Sequence, residues 1–219
     1  MLYSVDDIIK EVRIALDENS QSPALLAIND NGTLELNDII RQKITHAVRM
    51  VVENAPSHLL DEGEDFSNIP LIWESGVTGK GMAWLKLPDD FLRLVIFRMS
   101  DWVRPVLIPI GDTDDRYFLQ KSKFAGVKGG VEKPICAITT YPEGKVMECY
   151  SSKGGGDVKI QIAKYIAVPK ITDNKISIAD KLYMSVIYTA AGLTAMTFKD
   201  TNADALFRIA NEYILSDEQ

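Results

Sequence analysis

Apolar residues recur at two different periods along this chain, and the change of period divides it. Val5, Ile8, Ile9, Val12 and Leu16 fall on one helical face. Ser4 stands where an N-cap is wanted, Asp7 follows three residues on, and Asn19 is a natural stop. After a polar link at 29–32, Asn37 is placed to cap a second helix, whose stripe is Ile40, Ile44, Ala47, Val48, Val51 and Ala55 before Pro56 ends it. Short segments then take over at 71–73, 82–87, 92–99, 103–108, 135–140, 146–150 and 158–166. They are rich in β-branched and aromatic residues and punctuated by Gly, Pro and Asp, which predicts antiparallel strands and hairpins.

Tyr141-Pro142-Glu143-Gly144 has the chemistry of a tight turn, residues 154–156 read as a glycine hairpin tip, and 112–124 as a short helix. The helical period returns at 178–198, through Ile178, Leu182, Met184, Val186, Ala190 and Leu193. Small residues there, Ala190, Ala191, Gly192 and Ala195, let a neighbouring helix come close. Thr201 is expected to cap a last helix carrying Ala205, Leu206, Ile209, Ala210, Tyr213 and Ile214. The order predicts an α+β fold. Its N- and C-terminal helices (1–60 and 176–219) pack as a helical bundle, and an antiparallel β-rich domain or lobe (61–175) is inserted between them.

With 46% hydrophobic and 25% charged residues in 219, the chain can build a core without staples. Two cysteines, Cys136 and Cys149, are too few for a disulfide framework, and no leader pattern opens the sequence, so a reduced, intracellular setting is expected. No apolar run reaches the roughly 20 residues of a membrane span, so no membrane partner is expected. A net charge of −7 argues against a broad nucleic-acid footprint. Two acidic knots, Asp61/Glu62/Glu64/Asp65 and Asp112/Asp114/Asp115, read first as solvated loops.

Candidate chemistry thins out on inspection. The Gly79-Lys80-Gly81 element suggests a phosphate loop, but Glu74 stands at the first glycine of that motif, Gly81 at its hydroxyl, and a strand follows instead of a helix. The two histidines, His46 and His58, have no nearby ligand in sequence, and Cys136 and Cys149 lack a CxxC spacing and read as buried thiols. Around Asp112 an EF-hand would need glycine at Tyr117 and an oxygen ligand at Arg116. No catalytic residue, metal or cofactor is assigned, and no enzyme activity is expected.

One stretch carries a resemblance. Leu87, Pro88, Asp90, Phe91, Arg93 and Leu94 spell Leu-Pro-x-Asp-Phe-x-Arg-Leu, after two helices and before a β region and a C-terminal helix pair. This resembles the head–tail adaptor (connector) proteins of tailed bacteriophages, of the gatekeeper or tail-tubular type of short-tailed phages and the ring proteins of crAss-like phages. The alanine-rich helix at 178–198 and its successor are similar to the C-terminal helices of that family. The resemblance implies a virion structural protein at the head–tail junction, assembled in the host bacterial cytoplasm. Its partners would be further copies of itself, usually twelve in a ring, the portal protein, and other tail or ring proteins. DNA would pass through the lumen on ejection without sequence-specific binding.

Under that reading Asp61, Glu62, Glu64 and Asp65 facing the lumen would repel phosphate. Trp73, Trp84 and Trp102 are candidate interface anchors, with a core role as the competing account. Lys121, Lys123, Lys128 and Lys133, set among glycines, are candidates for an acidic partner or for a solvated loop. The alternative is a soluble α+β binding or regulatory module without catalytic activity. A ring subunit would leave apolar surface exposed on the lone chain, whereas such a module would bury nearly all of it.

Overall fold

The computed structural model describes residues 1–16, 36–74, 81–122, 124, 126–153 and 157–216. The protein is α+β, and it divides into two compact units, Met1–Asp61 with Val168–Gln219, and Glu62–Ala167.

The first unit is built on helices α1 (Val5–Ala15), α2 (Leu36–Asn54), α4 (Tyr183–Thr197) and α5 (Ala203–Ser216). Helix α4 is packed by α1, α2 and α5, which is why it is apolar or small on nearly every side. The expected stripes are the buried ones: Val5, Ile8, Ile9 and Val12 on α1, and Ile40, Ile44, Ala47, Val48 and Val51 on α2. Gly192 on α4 faces the ring of Phe207 on α5, so close that an added Cβ would stand 2.9 Å from it.

Several local expectations give way. Asn37 lies inside α2, where its side-chain oxygen accepts from Arg13 Nη1 at 3.0 Å, so it is not a cap. Helix α5 begins at Ala203, after Asn202 and not after Thr201, and the Asp200 carboxylate accepts the Asn202 N–H at 2.9 Å in the turn before it. Residues 168–175 belong to this unit and not to the β lobe, because strand β10 (Lys175–Ser177) pairs antiparallel with β1 (Leu2–Ser4). Thr172 and Lys175 close the turn before β10, with Asp173 and Asn174 both at positive φ as a two-residue turn requires. The stop at Asn19, the link at 29–32, most of the Gly-Lys-Gly segment, Lys123 and the tip at 154–156 lie outside the described residues.

The second unit holds two sheets. One has the order β2 (Glu64–Asp65), β9 (Ile160–Ala167), β5 (Phe91–Met99). The other has the order β3 (Ile72–Trp73), β4 (Ala83–Lys86), β8 (Gly144–Tyr150), β7 (Ile135–Tyr141), β6 (Ile110–Gly111). All pairings are antiparallel except β6 with β7, which is parallel because the chain returns through the six-residue helix α3 (Asp115–Gln120) instead of a hairpin. The predicted strand at 103–108 is irregular, with one bridge between Phe97 and Val106. Pro105 and Pro109 have no N–H to donate to a ladder. Residues 141–144 form the expected turn, with Gly144 at φ +117° closing the β7–β8 hairpin. Leu85, Met147 and Cys149 from one sheet meet Leu94, Phe97 and Ala163 from the other in a single core.

Candidate functional site

The residues that carried the resemblance form a corner of the β unit. Strand β4 ends before Leu87, the Phe91 N–H donates to the Pro88 carbonyl at 3.0 Å, and β5 begins. Leu87, Phe91 and Leu94 are all buried in the shared core. Arg93 is half-buried, and burial holds its pKa below the ordinary value. Asp90 Oδ1 lies 2.9 Å from the hydroxyl of buried Tyr165, which also lies 3.2 Å from Glu64 Oε2. Burial first, and then the hydrogen bond to Asp90, pushes the Tyr165 phenol up. The ring of Tyr165 stacks on Phe91 with centroids 5.6 Å apart and meets Phe66 edge-on. The motif is therefore a packing and turn element, with no group free to meet a ligand from Leu87, Phe91 or Leu94.

The acids of the 61–65 knot are each partnered within the chain, Asp61 by the N-terminal ammonium at 3.3 Å and Glu64 by the Tyr165 hydroxyl. Glu62 pairs with Lys164 at 2.9 Å, and that bond holds its carboxyl below the usual range. The Ser67 hydroxyl first, and then its N–H at 2.6 Å, hold the Asp65 carboxyl below the usual range, and Glu64 and Asp65 form β2. Asp61 closes the first unit, whereas the other three acids belong to the second. Among the described residues no group of three His, Cys, Asp or Glu is placed to hold a metal ion. Cys136 and Cys149 are cross-strand neighbours, buried and free, and burial raises the Cys136 thiol.

The tryptophans separate. Trp102 is 1% exposed and meets Phe97 edge-on inside the core, so it is a core residue and not an interface anchor. Trp73 and Trp84 are half-buried, the latter against Tyr141 with centroids 5.2 Å apart. Lys121 Nζ stands 4.9 Å over the ring of Tyr117. Lys128 lines a cleft of about 220 Å³ with Gln120, Ser151 and Ser152.

Two features were not singled out from sequence. The first is a set of exposed large apolar side chains in the β unit, from Val103, Leu107 and Ile108 (74% exposed) through Phe118 (66%) and Leu119 on α3 to Phe124 (76%) and Val127. A second set, Met196, Phe198, Tyr213 and Leu215, lies on the α4–α5 pair of the other unit, which also exposes Met1, Leu2, Ile14 and Met50. Three consecutive large residues, Tyr117-Phe118-Leu119, cannot share one helical face at about 100° per residue, and that was a signal available in the sequence.

The second feature lies on the face of the five-stranded sheet opposite the shared core. Alternation along β8 sends Met147 and Cys149 inward and Val146, Glu148 and Tyr150 to this outer face, where Ile110, Tyr117, Ala137 and Tyr150 form a small cluster. Glu148 sits at its centre, 2% exposed, between its cross-strand neighbours Trp84 and Ala137. It accepts hydrogen bonds from three phenols: Tyr150 at 2.5 Å, Tyr141 at 2.7 Å and Tyr117 at 3.4 Å. Burial and then the Glu148 carboxylate push the Tyr141 and Tyr150 phenols up. Nothing in the 2-residue alternation foretold a buried carboxylate, because its partners come from β7, β8 and α3.

No protein-family model matches the chain, and no curated protein is significantly similar to it. No helix among the described residues is long and apolar enough to cross a membrane.

Proposed function

We infer that the protein is a head–tail adaptor subunit of a tailed bacteriophage, a non-enzymatic virion component that closes into a ring on the portal and lines the channel through which DNA passes. The observation that carries this reading is the pair of exposed apolar sets, one in each unit: Ile108, Phe118 and Phe124 in the β unit, and Met196, Phe198 and Leu215 in the helical unit. Large apolar side chains grouped in water mark interaction surface, and Phe118 and Leu119 are neighbours on α3. A ring needs two unlike patches per subunit, so that one copy's first meets the next copy's second and the rotation closes. A self-complementary pair would need only one.

The order of elements and the Leu87–Leu94 corner supply the likeness to that family. The exposed acids Glu62, Glu64 and Asp65 suit a wall that DNA must slide past. Trp73 and Trp84 remain the tryptophans with surface to offer a partner.

The test is co-expression with the proteins encoded beside it, affinity purification and negative-stain imaging. The expected result is rings of this chain stacked coaxially on a larger ring, with the pair Phe118→Ser and Phe124→Ser reducing ring yield while the monomer stays folded. A wild-type chain that stays monomeric and recruits no neighbour would overturn the reading in favour of a binding or regulatory module, for which the cleft beside Ser151 and Ser152 would be the first place to look for a ligand.

A further inference from the structure

We propose that Glu148 is a positioning residue for the docking surface: by holding Tyr117 on the outer face of the sheet it fixes the roll of α3, and so turns Phe118 and Leu119 outward toward the neighbouring copy. The proposal rests on the ring reading above and adds to it the group that orders one of its two patches.

Helix α3 has six residues, far too few to be stable in water by itself. What seats it must come from its inward side chains, and those are Tyr117 and Gln120, both buried. Both anchor through polar atoms. Gln120 accepts the Gly129 N–H at 2.9 Å and donates to the Arg116 carbonyl at 2.8 Å, tying the helix to the loop that follows it. Tyr117 reaches Glu148.

Beneath them the apolar cluster has only four buried members, one being Tyr117 itself, so hydrogen bonding carries an unusual share of the seating. Tyr141 and Tyr150 hold the carboxylate in place, which leaves it fixed as an acceptor for the third phenol. With about 100° between successive residues, a helix whose Tyr117 points into the sheet must point Phe118 away from it. Tyr117 thus sets the direction of Phe118 through its ring, edge-on to Tyr150, and through its hydroxyl, 3.4 Å from Glu148.

The three phenols offer a clean comparison. Tyr117→Phe and Tyr141→Phe each remove one hydrogen bond to the same carboxylate and leave the ring, but only Tyr117 lies on α3. Hydrogen exchange on the full chain, by mass spectrometry, reads the α3 amides and Gly129, and the same variants enter the co-expression test. Tyr117→Phe is expected to speed exchange at 117–122 and at Gly129 about three- to tenfold while β5 and β9 stay within about twofold, and to lower ring yield. Tyr141→Phe, which leaves Tyr150 holding the carboxylate, is expected to speed α3 exchange less than Tyr117→Phe does. Equal exchange of α3 in Tyr117→Phe and wild type, or equal effects of the two variants on α3, would overturn the proposal. If wild type forms no ring yet Tyr117→Phe still frees α3, the ring reading falls and the positioning role stands. If rings form and Tyr117→Phe alters neither exchange nor yield, the positioning role alone falls.

Discussion

Tyr165→Phe removes a single oxygen from the corner that carries the sequence motif, and the structure sets the size of the effect. The hydroxyl lies 2.9 Å from Asp90 and 3.2 Å from Glu64, but a phenol has one proton and donates to one carboxylate at a time, so the two contacts do not add. The loss is that of one hydrogen bond to a charged group, about 1.5–3 kcal/mol when fully buried. Glu64 is exposed and Asp90 half-buried, which brings the expectation down to about 1–2 kcal/mol through solvent screening. The stack on Phe91 and the edge contact with Phe66 survive in phenylalanine.

All three tryptophans, Trp73, Trp84 and Trp102, lie in the β unit, so their fluorescence during urea unfolding follows that unit alone. With slopes of about 1–3 kcal/mol per molar urea, the midpoint is expected to fall by about 0.3–2 M. The same substitution in a chain already carrying Asp90→Ala and Glu64→Ala should have little further effect. An unchanged midpoint in the single variant, or an undiminished loss in the triple variant, would refute the assignment of the hydroxyl to these carboxylates.

Two more perturbations test the helical unit. Gly192→Ala gains about 0.8–1 kcal/mol of helix propensity but sets a methyl against Phe207 at a cost of about 1–3 kcal/mol, for a net loss of up to about 2 kcal/mol. In a Phe207→Ala chain the clash is gone and the same change should become stabilising by about 0.8–1 kcal/mol; thermal melts followed by circular dichroism in both backgrounds read the change of sign. Tyr3 donates to Asp180, and that hydrogen bond, with burial, pushes its phenol from 10.0 up to about 12. Because the folded pKa is the higher one, its stabilising effect is complete below pH 10 and disappears as pH rises to about 12, so the melting-temperature advantage of wild type over Tyr3→Phe should be flat below that window and vanish across it.

Much of the fold was legible because it rests on local periodicity. The stripe from Ile40 to Val51 and the small residues around Gly192 are buried as their spacing requires, and the β7–β8 turn follows from Pro142 and Gly144. What was not legible depends on groups far apart in sequence. The β1–β10 pairing joins two three-residue strands too short to show a period. Trp102 looked equally suited to core or interface, and the Phe97 ring that encloses it decides for the core. The motif itself misdirected attention: Leu87, Phe91 and Leu94 share a compact signature because the corner must pack, so the signature speaks for the fold and the site has to be sought elsewhere.

The two faces of the five-stranded sheet are stabilised by different means, and the difference bears on which part can adapt to a partner. The inner face is closed by Leu85, Met147, Cys136 and Cys149 against the other sheet, an apolar contact that cannot open without exposing the whole core. The outer face has the smaller cluster of Ile110, Tyr117, Ala137 and Tyr150, with three phenols on one buried carboxylate and a glutamine on a loop amide. Phe118 and Leu119 are carried by α3, which packs on the smaller of the two clusters. In the ring proposed above, the small cluster beneath α3 would let that segment adjust on contact with the next copy while the larger core stays closed.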